Sequence, residues 1–249
     1  LGDVYKRQFQ YHPAGARIFS RQMALWPAPQ FVPESFEVTT TDDYAEVKTV
    51  FEPLYGMVRV ETCYRIHADG TLVGTLRTFD GGDMASAPEF FRVGMETTLP
   101  GRYSTVDFYG KGPYETYSDR QSSARTGHYV QSVAEQYHYG YVHPQESGTH
   151  VGLKWFRLTD DSGYGLEITS PAQFSASALP FTRQDLTDFS SPFASEELSS
   201  VSSRYSHSEE LRPAAHEADR SRGVTHLNFD LVQRGLGLSL IHISEPTRL

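Results

Sequence analysis

Short runs of alternating apolar and polar residues, each ended by turn-forming residues, are the feature that most constrains the fold of this chain. Residues 57–67 lead into Asp69-Gly70 and continue through 71–79, and an Asp-Gly pair supplies the positive φ angles that a tight hairpin turn requires. Similar pairs of runs flank the turn residues 41–43, 100–101 and 159–163. Because period-two alternation places apolar side chains on one face of a strand, the pattern predicts antiparallel hairpins.

Helical periodicity is scarce, and aromatic residues make up 13% of the chain, which favours strands. The one helix start that we predict lies at Thr182, whose hydroxyl can cap a short turn. The serine-rich residues 190–210 lose the alternation and are predicted to form an exposed loop. Alternation resumes over residues 226–232. Many short strands between turns predict an all-β, antiparallel sandwich or barrel and argue against parallel βαβ units.

The charge balance argues against nucleic acid as a partner. The chain has 22 Lys and Arg against 31 Asp and Glu, a net charge of −9, and so lacks a general basic field for phosphate backbones. The longest strongly apolar stretch, residues 235–243, is half of the ~20 residues that a membrane-spanning helix needs. We therefore expect a soluble protein with no membrane partner. The compartment stays open between the cytoplasm and the periplasm.

Several kinds of chemical site lack support in the sequence. The single Cys63 excludes an internal disulfide and a cysteine-built zinc site, and the ten histidines never take a metal-protease spacing. Gly110-Lys111-Gly112 lacks the third glycine of a dinucleotide turn, and no G-x-S-x-G nucleophile elbow occurs. We expect no metal or cofactor site in this chain.

The two ends do not continue the neighbouring patterns. Residues 1–8 and 238–249 look like translated sequencing-adapter DNA, so we interpret both as non-native tails and exclude them from fold reasoning. The predicted domain is therefore 9–237, and we expect it to be truncated at its C-terminal end.

Residues 107–120 and 139–155 carry the densest mixture of rings and polar groups. Sugars have polar rims and apolar C–H faces, which suit flat aromatic rings beside carboxylate, amide and guanidinium groups. The candidate carbohydrate-binding, pocket or interface residues are Tyr109, Glu115, Asp119, Arg120, Gln145, Glu146 and Trp155. A structural alternative stays open, in which Tyr109 and Trp155 are core rings and Asp119 with Arg120 fixes a loop.

Five segments together resemble the C-terminal domain of family-two bacterial β-galactosidases, a unit that is a separate small subunit in heterodimeric lactases. They lie in the family's order and are GKGPYETYSDR (110–120), YVHPQESG (141–148), KW (154–155), FSAS (174–177) and NFDLVQRGLG (228–237). The resemblance covers most of residues 17–237. It implies an antiparallel β supersandwich, similar to galactose mutarotase in fold, with at most short helices.

The resemblance also implies that this domain contributes no catalytic residue. Family members use a retaining mechanism with two carboxylates about 5 Å apart, and both belong to a catalytic barrel elsewhere in the enzyme. The implied partners are that barrel, or a large subunit, and a galactoside. The domain is expected to wall the sugar pocket and hold the barrel's loops, since small displacements weaken positioned catalysis. It has no cofactor of its own, and any divalent metal belongs to the barrel.

Within that interpretation, we expect Glu115, Asp119 and Arg120 to brace a loop, and Gln145 and Glu146 to lie nearer the pocket or the barrel contact. The chain departs from the family pattern at three positions: it has Ser147 where the family has asparagine, Ser118 where the family has proline, and Leu238 where the family has glycine. A serine hydroxyl replaces only part of the hydrogen bonding of an amide.

Two other functions stay open. The first is a stand-alone carbohydrate-binding module that uses Tyr109, Glu115, Gln145 and Trp155. The second is a mutarotase-type enzyme, which rests on fold analogy alone.

Overall fold

The computed structural model describes residues 32–52, 58–80, 92–138, 147–181 and 223–233, and the chain divides into two units, Leu1–Phe90 and Phe91–Leu249. Each unit holds one antiparallel sheet. Within the described ranges the sole helical element is one 3-10 turn, Ala134–Gln136. The predicted all-β, antiparallel fold with at most short helices is thereby confirmed. The helix start predicted at Thr182 and the serine-rich loop lie outside the described residues.

The first unit contains a four-stranded sheet in the order in which its strands follow one another. The strands are β1 (Val32–Thr40), β2 (Tyr44–Glu52), β3 (Val58–His67) and β4 (Leu72–Asp80). The predicted Asp-Gly hairpin joins β3 to β4, where Gly70 has a φ of +89° and Asp69 Oδ1 accepts the Thr71 N–H at 2.8 Å. Thr41 Oγ1 accepts the Tyr44 N–H at 3.1 Å in the other predicted turn, between β1 and β2.

The second unit contains a six-stranded sheet in the order β5-β10-β9-β8-β6-β7. Its strands are β5 (Arg92–Pro100), β6 (Thr105–Gly112), β7 (Arg125–Ser132), β8 (His150–Thr159), β9 (Gly165–Leu179) and β10 (Val224–Gln233). The hairpin predicted around residues 159–163 is confirmed as the β8–β9 pair. The hairpin predicted around residues 100–101 is wrong, because β5 pairs with β10 and β6 pairs with β7 and β8.

The core of the second unit lies on one face of this sheet. On β6 the residues alternate strictly, so that Val106 and Phe108 are fully buried while Asp107 and Tyr109 face the other way. A buried side chain of this size contributes roughly 1.5–3 kcal/mol by removal from water. The buried core residues are Val106, Phe108, Val133, Leu153, Phe156, Leu158, Phe174, Ala176, Ala178 and Leu227.

A close approach between β6 and β8 fixes the end of β6. A Cβ added at Gly110 would lie 2.6 Å from Leu153 Cδ2. Only glycine fits there without displacing the leucine. Glycine at this position lets Leu153 pack against β6 close to the loop that holds three of the seven predicted site residues.

Candidate functional site

Glu115 lies in the loop between β6 and β7, and its side chain is only 8% exposed. Its Oε2 accepts hydrogen bonds from the Gly148 N–H at 2.9 Å and the Tyr117 hydroxyl at 3.1 Å, while its Oε1 pairs with Arg120 Nη2 at 2.5 Å. A buried carboxylate is costly unless donors of this kind surround it. Glu115 therefore anchors its loop to the segment that begins β8.

Tyr117 and Arg120 close the tip of the same loop. The Tyr117 N–H donates to the Arg120 carbonyl at 3.1 Å, and the Arg120 N–H donates back to the Tyr117 carbonyl at 2.9 Å. The guanidinium of Arg120 lies 5.1 Å from the centre of the Tyr117 ring, which is fully buried. These contacts make Arg120 a brace within the loop. Asp119 is exposed at the loop tip.

Ser147 takes part in the same anchor from the other side. It is 1% exposed, its Oγ accepts the His138 N–H at 2.7 Å, and the hydroxyl lies 3.4 Å from Glu115 Oε2. One hydroxyl thus serves both as acceptor and as donor. The next residue, Gly148, has a φ of +70°, and a Cβ there would lie 2.6 Å from the Gln136 carbonyl oxygen. Glycine is required at this contact.

One backbone bond and one bond to a side-chain hydroxyl reinforce the tie between the loop and the start of β8. The Thr116 N–H donates to the Thr149 carbonyl at 2.6 Å, and the Val151 N–H donates to Thr116 Oγ1 at 3.0 Å. Thr116 and Thr149 are both buried. We call the loop residues 115–120 together with residues 147–151 the Glu115 clamp.

His150 is buried at the base of the Glu115 clamp, with 1% of its surface exposed and its ring centre 4.2 Å from that of Phe108. Burial lowers the pKa of His150 from 6.5 to about 4, because the cation loses its hydration. Its bond with the Lys111 carbonyl and the charge of Glu115 act in the opposite direction. At neutral pH the ring is therefore uncharged and carries one N–H.

The partners of His150 belong to a chain of hydrogen bonds with a backbone carbonyl at each end. His150 Nδ1 lies 3.1 Å from the Lys111 carbonyl oxygen, and Nε2 lies 2.8 Å from Gln136 Oε1. The Gln136 amide donates to Gln131 Oε1 at 2.8 Å, and the Gln131 amide donates to the Pro113 carbonyl at 3.1 Å. Since the Lys111 carbonyl only accepts, the neutral ring makes that contact with its proton on Nδ1.

Tyr109 and Trp155 lie beside each other on the face of the sheet opposite the core. They are cross-strand partners on β6 and β8, and Tyr109 is 38% exposed. The guanidinium of Arg157 lies 4.5 Å from the Trp155 ring centre. Neither Tyr109 nor Trp155 belongs to the buried core, so the alternative that made them core rings is wrong.

The predicted site residues thus fall into two groups. Glu115 and Arg120 bond to each other within the loop, and Tyr109 and Trp155 are neighbours on the sheet. Gln145 and Glu146 lie outside the described residues. Sequence reasoning did not assign roles to the buried members of the site, which are Thr116, Tyr117, Gln136, Ser147 and His150.

In the part of the chain that the structure describes, no group of three or more His, Cys, Asp or Glu side chains is arranged to hold a metal ion. None of the helices in that part is long and apolar enough to span a membrane.

Comparisons with known proteins point to one family. The family described as Beta galactosidase small chain matches residues 10–246. A β-galactosidase (BgaC) of Bifidobacterium adolescentis is 38% identical over 104 residues, which is 41% of this chain and 9% of that protein. A β-galactosidase of Streptococcus thermophilus is 32% identical over 135 residues, 54% of this chain and 13% of the relative.

A third relative is aligned over more of the chain. The β-galactosidase of Halalkalibacterium halodurans is 26% identical over 175 residues, 68% of this chain and 17% of that protein. The alignments therefore span between 9 and 17% of the length of these three relatives. Because the family match covers residues 10–246, which is most of this chain, the chain belongs to the β-galactosidase small-chain family.

Proposed function

We propose that this chain is a non-catalytic domain of a retaining bacterial β-galactosidase of glycoside hydrolase family two. It associates with the catalytic barrel, or with a large subunit that contains it, and helps to shape the pocket for terminal β-D-galactosides. The observation that carries the proposal is the family match over residues 10–246, together with relatives named β-galactosidase that are several times longer than the matched region. As a supersandwich similar to galactose mutarotase, the domain would pack beside that barrel.

The Glu115 clamp supports a positioning role. Bonds from the Gly148 N–H, the Tyr117 hydroxyl and Arg120 end on one carboxylate. In addition, the Thr116 N–H donates to the Thr149 carbonyl, and the Thr116 hydroxyl accepts the Val151 N–H. A loop held in this way keeps one conformation, which is what a pocket wall or a contact with catalytic loops requires. Gln145 and Glu146 remain our candidates for contact with the pocket or the barrel.

The same contacts argue against catalysis by Glu115. An acid/base or nucleophilic carboxylate needs an accessible oxygen, whereas both oxygens of Glu115 already accept hydrogen bonds inside the protein. In our proposal the nucleophile and the acid/base both belong to the barrel, as does any divalent metal, and this domain requires no cofactor.

Hydrolysis of a chromogenic β-galactoside by the purified 249-residue chain tests the non-catalytic assignment. We expect no galactose release above the uncatalysed rate. Release that is abolished in Glu115→Gln, but kept in the matched surface variant Glu167→Gln, would contradict it.

A stand-alone carbohydrate-binding module is the second candidate, and the outward-facing pair of exposed Tyr109 and half-buried Trp155 favours it. Two other residues are assigned to that module. The Glu115 side chain bonds within its own loop, and Gln145 lies outside the described residues. Calorimetry with galactose and lactose tests sugar binding by the chain alone, and co-purification with the catalytic chain separates the two functions, because a stand-alone module needs no barrel.

A further inference from the structure

Three rings form a row across the solvent-facing side of the second sheet. Tyr109 on β6 is paired in register with His128 on β7 and with Trp155 on β8. The row is shorter than the spacing of the strands implies, because the ring centres of His128 and Trp155 lie 5.5 Å apart. Tyr109 is 38% exposed and the side chain of His128 is 58% exposed. We call His128, Tyr109 and Trp155 the ring strip.

The core does not need these rings. Phe108 directly precedes Tyr109, and Phe156 directly follows Trp155. Both phenylalanines point to the opposite side of the sheet and are fully buried. Outward positions of a half-buried sheet are ordinarily polar. Three outward-facing rings in register, with Tyr109 and His128 exposed and Trp155 half-buried, therefore call for an explanation outside the packing of this sheet.

A row of charged side chains lies beside the ring strip, at positions two residues away from the rings on β6 and β8. Asp107 pairs in register with Arg157, which pairs with Glu167 on β9. Asp107 Oδ1 lies 2.6 Å from His128 Nε2, and Asp107 Oδ2 lies 3.7 Å from Arg157 Nη1. These contacts fix a carboxylate, an imidazole and a guanidinium next to the rings, while about half of the Arg157 side chain stays exposed.

We propose that the ring strip, with Asp107 and Arg157, is a binding surface for one sugar unit of a saccharide. Apolar C–H faces of the sugar stack on the rings, and its hydroxyl groups donate to Asp107 and accept from Arg157. Because the Arg157 guanidinium already lies over Trp155, Tyr109 carries most of the stacking. The rigid strands reduce the entropy lost on binding. The carboxylates and the net charge of −9 disfavour a phosphate-bearing polymer.

This inference goes beyond the proposed supporting role, which demands no sugar affinity of the chain by itself. The test is isothermal calorimetry of the 249-residue chain with lactose and with a β-1,4-linked galactotetraose. We expect saturable binding of at least one of the two. Tyr109→Ala should weaken that binding about tenfold, as expected for loss of one stacking ring.

The matched control is Tyr164→Ala, which removes a tyrosine that is 69% exposed but lies in the β8–β9 turn, away from the strip. It should keep affinity within twofold of wild type. Asp107→Asn is the second test variant, since it keeps the size of the side chain while removing its charge, and it should also weaken binding. Circular dichroism and the unfolding midpoint establish that each variant is folded.

Absence of saturable binding of both sugars, or equal affinity in wild type, Tyr109→Ala and Asp107→Asn, overturns the proposal. Co-purification with the catalytic chain of the parent enzyme, measured on the same variants, keeps the two proposals apart. If Tyr109→Ala abolishes that association while wild type binds neither sugar, the strip is a protein contact and the saccharide assignment is wrong. Lack of sugar binding with intact association leaves the proposed function standing.

Discussion

Replacing Glu115 with alanine tests whether this carboxylate holds the Glu115 clamp together. The change removes the acceptor of the Gly148 N–H and of the Tyr117 hydroxyl, both in buried residues. A buried donor left without an acceptor costs about 1–3 kcal/mol. Arg120 is half exposed, and water replaces most of its lost ion pair. We expect the free energy of unfolding of the second unit to fall by about 3 kcal/mol, the sum over two such donors after partial solvation.

Urea unfolding followed by circular dichroism measures the global effect, and amide hydrogen exchange at Gly148 measures the local one. If the free energy of the opening that exposes the amide falls by about 3 kcal/mol, the amide should exchange roughly a hundredfold faster. The matched control is Glu167→Ala, whose carboxylate is 43% exposed and pairs with Arg157 on the sheet surface. It should leave unfolding close to wild type. A Glu115→Ala chain within about 0.5 kcal/mol of wild type would refute the reasoning, because that is the range of ordinary surface substitutions.

Three further outcomes are expected. Stability should stay constant above pH 6.5 and decline as the pH falls towards 4, because unfolded His150 takes up a proton that the folded ring does not. The full loss in the free energy of unfolding is about 3 kcal/mol. Urea unfolding across this pH range measures the loss, and the His150→Gln variant should show none of it. Gly148→Ala should lower the thermal midpoint more than Gly163→Ala, because both have positive φ but only position 148 lacks room for a Cβ; equal shifts would contradict this. Arg120→Leu in the complete enzyme should reduce stability or assembly more than it changes the relative rates on different galactosides; a folded, assembled variant with altered sugar selectivity would reverse that assignment.

Local turn chemistry explains which parts of the fold were predictable from sequence. The β3–β4 hairpin follows from Asp69-Gly70, and the β8–β9 hairpin follows from the turn residues 159–163. The predicted β5–β6 hairpin was wrong because turn residues indicate that the chain changes direction but do not indicate which strands pair. Val224 pairs with Pro100, and this long-range pairing of β10 with β5 leaves no local signal.

The strand β7 was not predicted, for a different reason. The residues of β7 that share the side of Phe108 include Gly127 and Gln131, so the segment lacks apolar alternation. Packing supplies what the sequence pattern does not: Tyr129 contacts the Phe108 ring at 5.4 Å between centres.

The candidate site shows the same division. The mixture of rings and charges around Glu115 and Tyr109 was visible in the sequence, and so was the sugar-like chemistry that it suits. Which residues meet was not visible, because Glu115 bonds to Gly148 33 positions later and His150 bonds to Gln136 14 positions earlier. The outward side of Tyr109 and Trp155 became clear only from the strand registers.

The most direct test of the central claim is reconstitution of galactoside hydrolysis. The catalytic chain of the parent enzyme, expressed without the region matched here, is assayed alone, with the wild-type 249-residue chain, and with its Glu115→Ala variant. We expect little hydrolysis by either wild-type part alone, strong hydrolysis by the mixture, and a reduced rate with the variant. Full activity of the catalytic chain by itself, unchanged when this chain is added, would contradict the claim that the domain supports catalysis.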